Sequence, residues 1–124
     1  MKILGIDYGE AKIGLAISEG EIAGPLQVVS SKYQVASICQ REAVDKRLSG
    51  ISEGKMAEQT RQFGEELRKI TGLPVEYWEE TLTSQEAVKK MIEAGKAKRR
   101  RKTDEHAVAA ALILQDYLEK LPNG

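Results

Sequence analysis

The chain has 124 residues, of which 41% are hydrophobic and 31% are charged, a composition that predicts one compact domain over residues 1–124 and excludes wholesale disorder. Its 19 basic and 19 acidic residues give a net charge of zero, which excludes a uniformly basic nucleic-acid binder. The single cysteine excludes an internal disulfide, and no apolar run approaches the roughly 20 residues that span a bilayer. Since no signal peptide is recognisable either, we expect a cytoplasmic protein without a membrane partner.

The first 29 residues predict a three-stranded meander. Its turns fall at residues 9–10 and 19–21, where glycine and acidic residues interrupt the apolar runs. Small residues in the second strand permit close packing, and Pro25 indicates that the third strand is an edge strand because proline cannot donate a ladder hydrogen bond. The predicted strands are Lys2–Tyr8, 11–18 and Ile22–Val29.

Beyond residue 31 the apolar residues recur every three or four positions, which predicts helices between the next strands. The first helix has one apolar face, formed by Val35, Ile38, Cys39 and Ala43. A fourth strand is predicted over residues 47–51 and a fifth over residues 73–78. The helix between them ends at Gly72, a common stop residue. Its predicted buried face consists of Met56, Thr60, Phe63, Leu67 and Ile70.

Two more helices are predicted in the last third of the chain. Thr83 and Glu86 match a capping box, in which each side chain accepts from the other residue's backbone N–H, so a helix is expected over residues 84–94. The last helix is predicted over residues 103–118, with Thr103 as its cap. One face of it is small enough to lie very close to a sheet: Ala107, Ala110, Ala111, Leu114 and Leu118.

Basic charge is concentrated in one segment, because six of the seven residues from 96 to 102 are lysine or arginine. One interpretation is a solvated loop. The other is a contact with a nucleic-acid backbone, since counterion release alone gives affinity for a polyanion. The expected nucleic-acid contacts are Lys12 and, in the basic segment, Lys98, Arg99, Arg100, Arg101 and Lys102.

Acidic residues stand at the ends of three predicted elements. Asp7 ends the first strand, Glu80 follows the fifth, and Asp104 opens the last helix close to His106. Each has an ordinary alternative explanation, since Asp-x-Gly favours a turn and carboxylates are favourable at helix N-termini. Together they fit a site for Mg²⁺ (or Mn²⁺), because such hard cations prefer oxygen ligands and can hold both the attacking and the leaving oxygens of a phosphodiester.

Three segments resemble the YqgF/RuvX family of Holliday junction resolvases and rRNA-processing nucleases. They are GIDYGEAKIGLAIS at residues 5–18, YWEETLTSQEA at 77–87 and AAALILQDYLE at 109–119. The resemblance implies an α/β fold of the RNase H-like type, with a five-stranded mixed sheet in which a three-strand meander precedes alternating helices and strands. It also implies a Mg²⁺-dependent nuclease that acts on DNA junctions or on precursor 16S rRNA.

The resemblance further implies a site of three carboxylates. Asp7 matches the family's first acidic position and Glu80 its second, whereas Thr81 stands where the family has arginine. An ungapped match places His106 at the third acidic position. His106 is there a possible metal ligand or proton shuttle, and we favour Asp104 as the anionic ligand because Mg²⁺ prefers oxygen.

A different class of function stays open. His106 at an acidic position favours a catalytically weak nucleic-acid-binding or ribosome-assembly factor with the same fold. The sequence does not distinguish a monomer from a weak homodimer, although a symmetric four-way junction suits a dimer. An actin-like nucleotide-binding protein would need a second lobe, for which the chain is too short.

Overall fold

The computed structural model describes residues 1–9, 11–51, 55–79 and 104–120. The predicted helix over residues 84–94 with its Thr83 cap, and the basic segment 96–102, lie outside these ranges. Within them no helix is long and apolar enough to cross a membrane. The elements are β1 (Lys2–Tyr8), β2 (Ile13–Glu19), β3 (Ile22–Val29), α1 (Lys32–Arg41), β4 (Lys46–Ile51), α2 (Lys55–Thr71), β5 (Val75–Glu79) and α3 (Asp104–Lys120).

The strands form one mixed sheet in the order β3-β2-β1-β4-β5. β1, β2 and β3 pair antiparallel, whereas β1 pairs with β4, and β4 with β5, in parallel. The predicted meander is therefore confirmed, and β3 is the edge strand that Pro25 indicated. The parallel pairs need crossover helices, which α1 and α2 provide.

Each face of the sheet carries its own apolar core. On one face, β1 and β2 pack against α1 and α2; the buried residues there include Leu4, Ile6, Leu15, Val35, Ile38, Phe63 and Leu67. On the other face, the sheet packs against α3; the buried residues there include Ile3, Ala16, Leu48, Ala110, Ile113 and Leu114. The alternation of side chains along a strand divides β1 between the two cores.

The alanine-rich face of α3 lies directly on the sheet, as its sequence predicted. Ala107, Ala110 and Leu114 are buried, and the helix packs on β1, β2 and β3. A β-carbon added at Gly5 would lie only 2.8 Å from the Leu114 Cβ and 3.0 Å from the Ala110 carbonyl oxygen. The helix backbone therefore approaches β1 more closely than any residue with a side chain at position 5 would allow.

Polar side chains fix the C-terminal half of α3 across the sheet. Gln115 accepts from the Ala23 N–H at 2.9 Å and donates to the Glu21 carbonyl at 3.0 Å, which ties the helix to the β2-β3 turn. At the opposite edge, the Trp78 indole donates to Asp116 at 2.8 Å, and its ring meets Tyr117 edge-on at 5.4 Å. These contacts set the direction in which the N-terminal end of α3 crosses β1 and β2.

Several details differ from the sequence predictions, and among them β2 runs from Ile13 to Glu19 rather than over residues 11–18. Ala43 is not on the buried face of α1, because the helix ends at Arg41 and Ala43 takes a left-handed turn with φ 54°; Val44 enters the core instead. Ile70 is 45% exposed, since the last turn of α2 borders an open groove beside α1. β5 begins at Val75 rather than at residue 73, because the preceding Pro74 has no N–H for the ladder. The Met56 side chain lies outside the described part.

Arg47 explains why β4 has an unusual strand sequence. The residue is fully buried, and its guanidinium donates to the Leu67 carbonyl at 2.9 Å and to the Leu73 carbonyl at 2.5 Å. Both carbonyls belong to the C-terminal end of α2 or the loop after it, where a cation is favourable. Burial lowers the pKa of Arg47. The buried arginine therefore joins the C-terminal end of α2 and the following loop to the sheet.

Candidate active site

Asp7 lies at the rim of the sheet, one residue before the end of β1. Its neighbours Ile6 and Tyr8 point into the core under α1 and α2, whereas Gly5 faces α3. Strand alternation therefore places the Asp7 side chain on the α3 face. The sheet holds this carboxylate on a rigid element, as the sequence predicted.

The first turn of α3 rests beside Asp7. Gly14 is the residue of β2 that pairs with Asp7. A β-carbon added at Gly14 would lie 2.0 Å from the His106 carbonyl oxygen and 2.9 Å from the His106 Cβ. The backbone of His106 thus sits on the pair formed by Asp7 and Gly14, and the structure brings the last helix to the carboxylate of the first strand.

The surroundings of Asp7 disfavour its negative charge. Loss of solvent by burial raises the pKa of Asp7 from 3.8 to about 6. Within the described residues no ion pair or hydrogen bond to its carboxylate offsets this. Asp7 is half-buried, and a bound cation would stabilise a desolvated carboxylate of this kind.

The remaining predicted ligands are described only in part. Glu80 lies outside the described residues. For Asp104 the structure describes the backbone, as the first residue of α3, but not the side chain. His106 is half-buried. Among the side chains that the structure describes, no three His, Cys, Asp or Glu groups come together in a way that could hold a metal ion.

Lys12 lies at the same rim as Asp7, in the connection between β1 and β2. Its side chain is exposed, and its carbonyl packs so closely on Gly9 that an added β-carbon there would be 2.8 Å away. The other predicted nucleic-acid contacts, Lys98, Arg99, Arg100, Arg101 and Lys102, fall outside the described part of the chain. Of the predicted nucleic-acid contacts, the structure therefore describes Lys12, which lies at the Asp7 rim.

Trp78 is a residue of this face that the sequence reasoning missed. In the register of the sheet, Ile6 pairs with Ser49 and Gly50 with Trp78, so Trp78 is level with Asp7 two strands away. Strands are about 4.8 Å apart, which puts roughly 10 Å between the two backbones. No sequence signal gives this register, because it depends on how β4 aligns with both neighbours.

Comparison with known proteins identifies the family. The family model RuvX, described as Holliday junction resolvase, matches residues 1–120. The chain belongs to the RuvX (YqgF) family.

Relatives in the RuvX family match along almost the whole chain. A protein of Agathobacter rectalis named "Putative pre-16S rRNA nuclease" is 34% identical over 140 residues, which cover 99% of this chain and 98% of that protein. A protein of Halothermothrix orenii with the same name is 36% identical over 132 residues, with 95% and 94% covered.

The fold is shared with more distant proteins. The structure of T. thermophilus RuvC in complex with Holliday junction substrate superposes with a TM-score of 0.65 at 16% identity, covering 96% of this chain and 95% of that chain. This RuvX family member therefore has the RNase H-like fold that the sequence predicted.

Gly14 offers a test of the close approach of α3. Replacing Gly14 with alanine should destabilise the protein by about 1–3 kcal/mol, because the new methyl group collides with the His106 backbone. Gly24→Ala is the matched control, since a β-carbon at Gly24 meets nothing within 4 Å. Urea unfolding measures both, and equal stability of the two variants would contradict the described packing.

Asp7 makes the stability of the metal-free protein depend on pH. Below pH 3.8 the carboxyl is protonated in both states; as pH rises towards 6 the unfolded chain releases its proton first, so stability falls. Asp7→Asn should therefore stabilise the protein by up to about 3 kcal/mol above pH 6 and by little near pH 4. Unfolding in a chelator across this range measures the difference.

The control for this experiment is Asp45→Asn. Asp45 is exposed at the opposite rim, where it accepts from the Lys2 N–H at 2.7 Å. Its variant should not gain stability as the pH rises from 4 to 6. If Asp7→Asn instead lowers the free energy of unfolding at every pH, then the Asp7 carboxylate makes stabilising hydrogen bonds. That result would contradict a carboxylate that lacks a partner until a cation binds.

Proposed function

We propose that this RuvX family member is a nuclease that hydrolyses phosphodiester bonds of nucleic acid with the help of Mg²⁺ (or Mn²⁺). The observation that carries the proposal is the desolvated Asp7 carboxylate at the sheet rim, directly beside the first turn of α3. The family described as Holliday junction resolvase and the relatives named as pre-16S rRNA nucleases support the same chemistry.

The proposed metal ligands are Asp7, Glu80 and Asp104. Carboxylate oxygens suit Mg²⁺, and a cation would remove the cost of burying the Asp7 charge. For Glu80 the support is the family resemblance, in which it matches the second acidic position. When bound there, Mg²⁺ would supply charge stabilisation at the phosphate and acidify a water molecule.

The chain's own residues would position the substrate. Asp7 is held at the rim by β1, and Lys12 is exposed beside it to contact a phosphate. The basic segment, with Lys98, Arg99, Arg100, Arg101 and Lys102, precedes α3 in the chain and would add further phosphate contacts. His106 would hold or transfer a proton near the reacting phosphate, since a neutral imidazole has one donor and one acceptor nitrogen.

One feature favours a second candidate function. His106 stands where the family resemblance places an acidic residue, and loss of one carboxylate would weaken the binding of a hard cation. A nucleic-acid-binding or ribosome-assembly factor with little nuclease activity would keep Lys12 and the basic segment but would not need Asp7. Cleavage by the parent protein distinguishes the two functions.

The proposal predicts cleavage that depends on Asp7. With Mg²⁺ or Mn²⁺, the parent should cut a four-way DNA junction or a precursor 16S rRNA fragment, and Asp7→Asn should lower the rate at least about 100-fold, beyond the roughly 10- to 100-fold typical of outer-shell groups. Asp45→Asn is the control. A fully active Asp7→Asn variant would place the reaction elsewhere, and an inactive parent that binds both substrates would favour the binding factor.

A second prediction concerns the third ligand. Asp104 and His106 are two positions apart in the first turn of α3, so their side chains leave the helix in different directions and are expected to have different roles. Asp104→Ala should raise the Mg²⁺ concentration for half-maximal cleavage by about tenfold or more, whereas His106→Ala should lower the cleavage rate at saturating Mg²⁺ without raising that concentration. Metal titrations of both variants measure these effects, and the reverse result would assign the metal to His106.

A further inference from the structure

A groove of about 560 Å³ opens at the same rim as Asp7 but on the opposite face of the sheet. It runs from the end of β1 to the first turn of α1 and the exposed side of α2. The residues that matter for its chemistry are Tyr8, Lys32, Tyr33, Gln59, Gln62 and Phe63. None of them is part of the carboxylate site.

Aromatic rings are concentrated in this groove. The chain has one Trp, four Tyr and one Phe, and three of these six rings line it. Tyr8 and Phe63 form the inner wall, with ring centroids 4.6 Å apart. Tyr33 stands at the opening and is 67% exposed. A large exposed ring in the same groove as an aromatic pair offers a face on which a flat ligand can stack.

The polar groups of the groove suit a neutral ligand better than an anion. The N–H groups of Ser30, Ser31 and Gln34 already have acceptors, because Ser31 and Gln34 form a capping box and the Gln34 amide oxygen also accepts from the Ser30 N–H at 2.9 Å. The Lys32 ammonium is paired with Glu66, and that carboxylate would repel a phosphate. Gln59 and Gln62 are exposed amides, which offer both donors and acceptors.

The groove also lies within reach of one nucleic-acid strand at Asp7. Asp7 and Tyr8 are consecutive, so their Cα atoms are about 3.8 Å apart and their side chains point to opposite faces of the sheet. A strand that crosses the rim would place a phosphate on one face and a nearby base on the other. Lys12 is exposed at the same crossing point.

We infer that this groove receives an unstacked base of the nucleic acid whose backbone lies at Asp7, with Tyr33 stacking on the base and Gln59 and Gln62 bonding its edge. The inference rests on the proposed function for its choice of ligand. It gives the protein a preference for branched or single-stranded substrates, because a base in a continuous duplex is not free to enter the groove.

The test is binding of a short single-stranded oligonucleotide that contains 2-aminopurine, measured in a chelator so that no cleavage occurs. Tyr33→Ala should weaken binding at least roughly fivefold and reduce the quenching of 2-aminopurine, because one aromatic stack is lost. Tyr33→Phe should stay within about twofold of the parent. Ile22→Ala is the matched control, since Ile22 is a 76% exposed apolar side chain at the opposite rim.

Salt dependence separates stacking from charge. The slope of log affinity against log salt should be the same for the parent and Tyr33→Ala, because no phosphate contact is removed. A parent that does not bind the oligonucleotide, a Tyr33→Ala variant that binds as tightly as the parent, or a changed slope would each overturn the inference. Cleavage by the parent protein is measured separately. If Tyr33→Ala reduces stacking but the parent never cleaves, the result supports base binding in the groove and contradicts the proposed nuclease function.

Discussion

The closeness of α3 to the sheet is the constraint on which the candidate site depends. Gly5 and Gly14 have no side chains, and the facing side of the helix carries alanines, so two backbones come together where side chains ordinarily separate them. Gln115 and Trp78 hold the far end of the helix at the two sides of the sheet. With its direction fixed there and its distance set by the glycines, the helix must begin beside Asp7.

This packing has an electrostatic cost that a purely structural site would avoid. The same close approach that excludes water from the α3 face also removes solvent from the Asp7 carboxylate, whose pKa rises for that reason. Arg47, on the other face of the sheet, differs from Asp7 because its buried guanidinium donates hydrogen bonds to two backbone carbonyls. Within the described residues Asp7 has no such compensation, so its negative charge has a desolvation cost that a bound cation would lower.

The sequence allowed much of this arrangement to be predicted, for identifiable reasons. The alternation in β1 and the alanine face of α3 are local periodicities, so the position of Asp7 and the close packing of the last helix followed from them. Arg47 was not predictable, because a buried cation held by carbonyls leaves no pattern in its own segment. The shift from Ala43 to Val44 depends on one left-handed residue. The groove of Tyr8, Tyr33 and Phe63 joins three elements far apart in the chain, and only the folded sheet brings them together.

The antiparallel meander and α3 come from opposite ends of the described chain, so the two sides of the proposed site are synthesised at different times. The first three strands and the crossover helices can pair as soon as they are synthesised, whereas the packing of α3 on the other face of the sheet must wait until residues 104–120 are made. A ribosome-bound chain that lacks α3 would therefore have Asp7 without the helix that completes the proposed site. In the finished protein, undocking of α3 would take its first turn away from Asp7 while the five-stranded pairing remains, so local opening of this one helix would be sufficient to remove the proposed site.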